Sequence, residues 1–133
     1  MSDAVEAEIC ETLYSSLRAE AKVSYYVERL SSAYSLLLSR LSVSSGRPSE
    51  DLVASRELLE DTLARLKIVA SNLRRYRLTL SPYILKEAVD LMERAKLELD
   101  ARRALPSVKS WISIALEDVK LELWSLYRGA TEG

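Results

Sequence analysis

Two groups of closely spaced carboxylates are the residues of this sequence whose types and spacing could do chemistry. Glu57, Glu60 and Asp61 lie in "ELLED", and Glu87 and Asp90 lie in "EAVD". Carboxylate oxygens are the hard ligands that Mg²⁺ prefers, and a bound Mg²⁺ can orient a water for attack on a phosphate. The spacing therefore permits one metal site, formed by Glu57, Glu60, Glu87 and Asp90.

The order of these acids, Glu-x-x-Glu followed by Glu-x-x-Asp, resembles the motif of the MazG-like nucleotide pyrophosphatases. The resemblance covers only these positions. It implies acids on facing helices that hold Mg²⁺, and the release of pyrophosphate from a nucleoside triphosphate.

The helical positions of the acids favour a different interpretation. Glu57 and Asp61 lie roughly opposite the leucines of their own helix, and Glu87 and Asp90 point away from Leu85 and its apolar neighbours. Charged residues on such a face are usually solvated and pair with nearby arginines. We therefore expect no metal and no cofactor, and the Mg-dependent pyrophosphatase remains an alternative.

Other catalytic and transport classes are limited by what the sequence lacks. It has no His, and Cys10 is its only cysteine, which leaves no Ser-His-Asp or Cys-His pair and no His zinc site. A single cysteine is typical of a reducing compartment. The first residues of the sequence are acidic and have no signal-peptide pattern. No apolar run approaches the length of a membrane span, which is about 20 residues. We predict a cytoplasmic protein without enzyme activity or membrane contact.

A basic cluster in "SNLRRYRLTL" suggests a second kind of function. Arg74, Arg75 and Arg77 surround Tyr76 there, although the net charge of the chain is only −1. Basic residues at a helix C-terminus compensate its partial negative charge, and this is the simpler explanation. The alternative is contact with nucleic acid or another anion. In an antiparallel bundle that patch would consist of Arg74, Arg75, Arg77, Lys86 and Arg128.

The elements that must position these residues are helices. Hydrophobic residues make up 48% of the chain, and three glycines and three prolines leave few places to turn. Breaks at "SSGRPSED", "LTLSPY" and "RALPSVK" divide one domain, residues 1–133, into four segments. They predict helices over about 3–43, 50–78, 82–102 and 106–128, with Ser49 and Ser81 as N-caps and Gly46 and Gly129 as C-terminal caps.

The apolar spacing decides how these helices pack. In the second segment, leucine recurs every seventh residue from Leu52 to Leu80, which would suit a leucine zipper. Ser55 and Thr62 would sit badly in a two-stranded seam, whereas a bundle uses similar spacing. We predict an all-α protein, a four-helix bundle with up-down antiparallel topology and an unusually long first helix.

The composition also carries a weak environmental signal. The sequence has no Gln, and Asn72 is its only asparagine. Depletion of amides is a trend of proteins from hot environments, and a GC-rich genome would give a similar bias.

The length of the first helix predicts an interaction surface. About 40 residues span about 60 Å, twice the length of the third or fourth helix, so its first turns should extend past the bundle. Apolar residues also fall on the outer side of the fourth helix. We therefore predict a non-catalytic interaction or assembly module, a homodimer or the binder of another protein. Its contact residues would be Ile9, Leu13, Leu17, Ile114, Leu121 and Trp124.

Overall fold

Four helices follow one another in a computed structural model, which describes residues 2–43, 46 and 49–132. They are α1 (Ser2–Ser42), α2 (Glu50–Thr79), α3 (Pro82–Ala101) and α4 (Pro106–Glu132), and no strand occurs among the described residues. The predicted all-α class is confirmed. The predicted ends of the first three helices agree with these bounds to within one residue.

Contacts between the helices give the topology. On each pair of neighbours, residue numbers rise along one helix where they fall along the other, so all four neighbouring pairs are antiparallel. Two contacts define the direction of each pair. They are Ser16–Leu73 and Tyr34–Glu60 for α1 and α2, Asp61–Arg102 and Arg65–Glu98 for α2 and α3, Lys86–Trp124 and Lys96–Glu117 for α3 and α4, and Arg18–Glu122 and Lys22–Asp118 for α1 and α4. The predicted four-helix bundle is confirmed.

Local signals set the ends of α2 and the start of α3. The Ser49 hydroxyl accepts a hydrogen bond from the Asp51 N–H at 3.2 Å, which satisfies one of the free donors at the start of α2. Leu80 ends the helix in the left-handed conformation, φ 55°, and its N–H donates to the Tyr76 carbonyl. Ser81 occupies the N-cap position of α3 but forms no side-chain cap. Pro82 at the first helical position loses nothing there, because its missing N–H would have no partner.

One core runs the length of the bundle. Each helix contributes a stripe at helical spacing, and burial of these stripes is the main stabilising term. The most deeply buried large residues are Val23, Leu59, Leu66, Val69, Leu73, Tyr76, Leu85, Val89, Met92, Ile112, Leu116 and Leu123.

Two buried polar residues of α2, Ser55 and Thr62, have hydrogen-bond partners inside the bundle. The Ser55 hydroxyl accepts the Leu105 N–H at 2.8 Å, just before α4 begins. The Thr62 hydroxyl donates to the Leu58 carbonyl at 2.8 Å. A two-stranded zipper would leave such groups against leucines, whereas here Ser55 fixes the α3–α4 connection against α2.

The fourth helix is longer than predicted, and the cap predicted at Gly129 is wrong. α4 continues to Glu132, and Gly129 has no positive φ. A side-chain carbon added at Gly129 would meet no atom within 4 Å. Gly46 also does not cap α1, which ends at Ser42. The glycines therefore mark the ends of these helices only approximately.

The first helix extends beyond the α2–α3 turn, as its length predicts. Ser16 lies level with Leu73, so the part of α1 before about residue 10 passes the end of α2. The pairing of Arg18 with Glu122 places the part before about residue 8 past the end of α4 as well. Val5 and Ile9 continue the core stripe but are exposed. Among the described helices, none has the length and apolar character that a membrane span requires.

Replacement of Ser55 tests its role at the α3–α4 connection. Ser55→Ala leaves the Leu105 N–H without its acceptor and should lower the free energy of unfolding by about 1 kcal/mol. Ser71→Ala, on the exposed side of the same helix, should change it by much less. Urea denaturation of both variants measures the difference, and equal effects would contradict the assigned role.

Replacement of Gly129 tests the helical conformation at that residue. Gly129→Ala should raise the free energy of unfolding by about 0.5 kcal/mol, since alanine loses less backbone entropy in a helix and meets no atom here. Ala130→Gly, one residue later, should lower it by a similar amount. If thermal denaturation finds Gly129→Ala destabilising, residue 129 has the left-handed conformation of a cap.

Candidate functional site

Six large side chains on one side of the bundle form the main exposed apolar surface of α1 and α4. We call this surface the α1–α4 face. Each of the six is between 48% and 67% exposed. They are Tyr14, Tyr25 and Leu36 from α1, and Trp111, Ile114 and Leu121 from α4.

Helical spacing places these residues on one side. Tyr14, Tyr25 and Leu36 recur every eleven residues, which is close to three turns and keeps them in line along a straight helix. Trp111, Ile114 and Leu121 are three and seven residues apart, so they share one stripe of α4. The two stripes lie side by side because α1 and α4 are antiparallel neighbours.

The register of α1 against α4 arranges the face in three layers. Ion pairs of Arg18 with Glu122 and of Lys22 with Asp118 fix this register. It places Tyr25 level with Ile114 in a central layer. Tyr14 and Leu121 form a looser layer toward the end where α1 begins, since this register places Tyr14 level with residue 126. Leu36 and Trp111 form a layer toward the opposite end, where both line one groove.

A polar network joins α1 to α4 between the first two layers. The Tyr26 hydroxyl donates to Asp118 Oδ2 at 2.5 Å, and Lys22 Nζ donates to Asp118 Oδ1 at 3.0 Å. Burial and then the Asp118 carboxylate raise the pKa of Tyr26 to about 12. The Tyr26 hydrogen bond is the main cause that lowers the pKa of Asp118. The network therefore fixes the two helices that present the face.

An apolar groove lies beside the Leu36 and Trp111 layer. Its volume is about 340 Å³. The groove runs between the second half of α1 and the start of α4, with α2 as its floor, and Arg40 lies at its edge. Its apolar lining consists of Leu30, Ala33, Leu36, Leu37, Leu52, Leu59, Leu105, Val108 and Trp111. Such a lining suits an aromatic or aliphatic side chain.

The six contact residues predicted from sequence do not share one surface. Ile114 and Leu121 lie on the α1–α4 face. Leu17 is exposed midway round α1 between Tyr14 and the α2 side, and Leu13 is half-buried.

The remaining two lie elsewhere. Ile9 continues the core stripe above the α2–α3 turn. Trp124 turns to the α3 side, where it stacks on Tyr127 with ring centroids 5.5 Å apart and lies under Lys86 Nζ.

Four residues of the face were missed by sequence reasoning: Tyr14, Tyr25, Leu36 and Trp111. The eleven-residue spacing on α1 is a signal that could have identified three of them. Trp111 lies one turn before Ile114 and extends the stripe already identified on α4. Which stripe of each helix faces outward depends on its neighbours, however, and the spacing alone does not determine it.

Most of the basic cluster is engaged with acids of the same chain. Arg74 and Arg77 both pair with Glu20 on α1, and Arg77 also donates to the Ser16 hydroxyl at 3.1 Å. Arg75 is exposed, and it forms no ion pair with the described residues.

The other two members of the patch are also paired. Lys86 pairs with Asp90 and Arg128 with Glu132. Arg74 and Arg77 therefore do more than compensate the partial negative charge at the C-terminus of α2. They also join α2 to α1.

The carboxylates of the pyrophosphatase alternative lie far apart. The pairing of Arg65 with Glu98 and of Asp61 with Arg102 places Asp90 level with residue 73 of α2. Glu60 is therefore about 20 Å away along the bundle. Within the described residues, no three acidic or sulfur side chains come close enough to hold a metal ion. Glu60 instead accepts the Tyr34 hydroxyl at 2.6 Å.

A polar cleft lies at the end where α1 begins and α4 ends. Its volume is also about 340 Å³. Glu8, Glu11 and Glu122 give it an acidic lining, Arg18 pairs with Glu122, and Tyr76 closes its inner side. Burial raises the pKa of Tyr76. The lining contains no His or Cys.

The polar network predicts a loss of stability at both ends of the pH range. The pKa of Tyr26 is higher in the folded state, so its contribution is full below pH 10 and is lost as pH rises to about 12. The pKa of Asp118 is lower in the folded state, so its contribution is present above pH 3.8 and is lost as pH falls below that value. Denaturation across both ranges measures the two losses.

Tyr26→Phe isolates the alkaline part of this dependence. It should reduce the late step of tyrosinate formation by one group, since the buried Tyr76 also titrates late. It should also lower the free energy of unfolding at neutral pH by about 1 kcal/mol, because the Tyr26 hydrogen bond to Asp118 is lost. Tyr83→Phe, at an exposed tyrosine of α3, is the matched control and should retain the late step. An unchanged alkaline titration in Tyr26→Phe would contradict the assignment.

Comparison with protein-family models, with curated proteins and with solved structures finds no match to this chain.

Proposed function

We propose that this chain is a non-catalytic assembly module that binds a second copy of itself through the α1–α4 face. The observation that carries the proposal is the alignment of six half-exposed apolar side chains on two neighbouring helices. Large exposed apolar patches commonly mark interaction sites. The separation of the carboxylates and the pairing of Arg74 and Arg77 support a role other than catalysis or nucleic-acid binding.

The area of the face supports a stable contact. Six side chains of about 200 Å² each, roughly half exposed, present on the order of 600 Å². This is the upper end for the largest patch on a monomer, about 300–600 Å². In a protein–protein interface of standard size each partner buries about 800 Å², and the exposed area of the face is most of that. Tyr and Trp are enriched among the residues that dominate interface energies.

Matched isoleucine substitutions test the proposal. Ile114 is 54% exposed on the face, and Ile68 is 50% exposed on α2 outside it. The wild-type chain should sediment at micromolar concentration as a dimer, twice its 15.0 kDa mass. Ile114→Glu occurs twice in a two-fold interface and should raise the dimer Kd by at least about 100-fold. Ile68→Glu should leave it unchanged.

Circular dichroism of the variants provides the folding control. Both should retain the helical spectrum, because neither isoleucine belongs to the core. A wild-type chain that sediments as a monomer at tens of micromolar would contradict self-association. Equal weakening by Ile114→Glu and Ile68→Glu would place the contact outside the α1–α4 face.

A further inference from the structure

We infer that the second copy binds with its α1 antiparallel to the first, about a two-fold axis that passes near Tyr25. This inference rests on the proposed function and specifies its geometry. The occupant of the groove beside Trp111 is then Tyr14 of the second copy. Both the spacing of the apolar layers and the distribution of charge along α1 support this arrangement.

Two arrangements can bring the face against itself with two-fold symmetry. If the axis runs along the helices, α1 lies over α4 of the second copy, and each layer meets the same layer. If the axis runs across the helices, α1 lies over α1 of the second copy in the opposite direction. The central layers then meet each other, and each end layer meets the opposite end layer.

The apolar layers match across the second kind of axis. Tyr25 is eleven residues from both Tyr14 and Leu36, so an axis at Tyr25 places Tyr14 of one copy against Leu36 of the other. Leu36 lines the apolar groove. A tyrosine ring is an apolar body with a polar tip, and Arg40, one turn after Leu36, supplies a polar group at the groove edge.

The charges of α1 match across the same axis. The helix has four acids and no basic residue before Arg18: Asp3, Glu6, Glu8 and Glu11. The last four turns of α1 contain two basic residues, Arg29 and Arg40, and one acidic residue, Glu28. Among the described residues, Glu11 and Arg40 form no ion pair within the chain, although other acids and bases of α1 do.

Only the arrangement with the axis across the helices brings opposite charges of the two copies together. It places Glu11 of each copy level with residue 39 of the other, beside Arg40. An axis along the helices instead gathers the acidic first turns of both copies at one end of the dimer, where like charges repel. Charge complementarity of this kind selects the orientation of a contact more than it determines its strength.

Cysteine cross-linking tests the orientation, because Cys10 is the only natural cysteine and is exposed. Ser39 is exposed on the same edge of α1, but 29 residues of helix keep it about 43 Å from Cys10 in one chain. In the Ser39→Cys variant, a disulfide between Cys10 and the introduced cysteine must therefore join two chains. The antiparallel dimer brings these positions together, so mild oxidation should convert most of this variant to a covalent dimer.

Single-cysteine proteins are the controls. Wild type, with Cys10 alone, and the double variant Cys10→Ser/Ser39→Cys should both remain non-covalent under the same oxidation. A wild-type disulfide dimer would place the two Cys10 residues together, whereas the antiparallel dimer places each Cys10 level with residue 40 of the other copy, so the antiparallel inference would be wrong. If the Ser39→Cys variant sediments as a dimer but forms no disulfide, the inference is also overturned, while the proposed self-association stands. A monomer would contradict both.

A charge exchange gives an independent measurement of the same contact. Glu11→Arg or Arg40→Glu alone should raise the dimer Kd several-fold, because each places like charges together at two symmetric sites. The double variant Glu11→Arg/Arg40→Glu should restore the wild-type Kd at low ionic strength. Failure of the double variant to recover would show that these residues do not meet.

Discussion

The burial of one apolar stripe on each of four helices is the constraint on which the rest of this structure depends. The stripes fix the antiparallel register, and the register then decides which polar groups meet. Glu20 meets Arg74 and Arg77 because Ser16 packs level with Leu73. Isolated surface ion pairs contribute little stability, so these contacts mainly follow from the packing and add precision to it. The same register separates the acids of "ELLED" and "EAVD" and aligns the exposed residues of α1 and α4.

The length of α1 is the second determinant, because it is 41 residues long and the other three helices have 20 to 30. A helix of that length is supported along only part of its course, so its first turns pass the ends of α2 and α4 and leave Val5 and Ile9 exposed. Its charges are divided in the same way, with acids first and arginines later. This distribution suits the partial charges at the two ends of a helix, and it also gives the helix an orientation that a partner can recognise.

Much of the fold could be predicted from sequence, because Pro, Gly and Ser mark the breaks and the apolar spacing has a helical period. Gly129 was an exception, since glycine permits a left-handed cap without requiring one. The exposed apolar face was harder to predict. Ile114 and Leu121 were identified correctly as outward residues, but Trp124 has a place beside Tyr127 and Lys86 that depends on α3. Tyr14 and Tyr25 were missed because tyrosine occurs on both buried and exposed surfaces. The ion pairs of Arg77 depend on contacts between residues far apart in sequence.

The α1–α4 face combines the two helices that lie farthest apart along the described chain. Tyr25 and Ile114 are neighbours only after α4 has returned to pack against α1, and this contact closes the longest loop in the fold. During synthesis, α1, α2 and α3 can form before α4 is available, but the complete surface cannot. Assembly through this face would therefore be restricted to chains whose last helix has docked, which separates self-association in time from the earlier steps of folding.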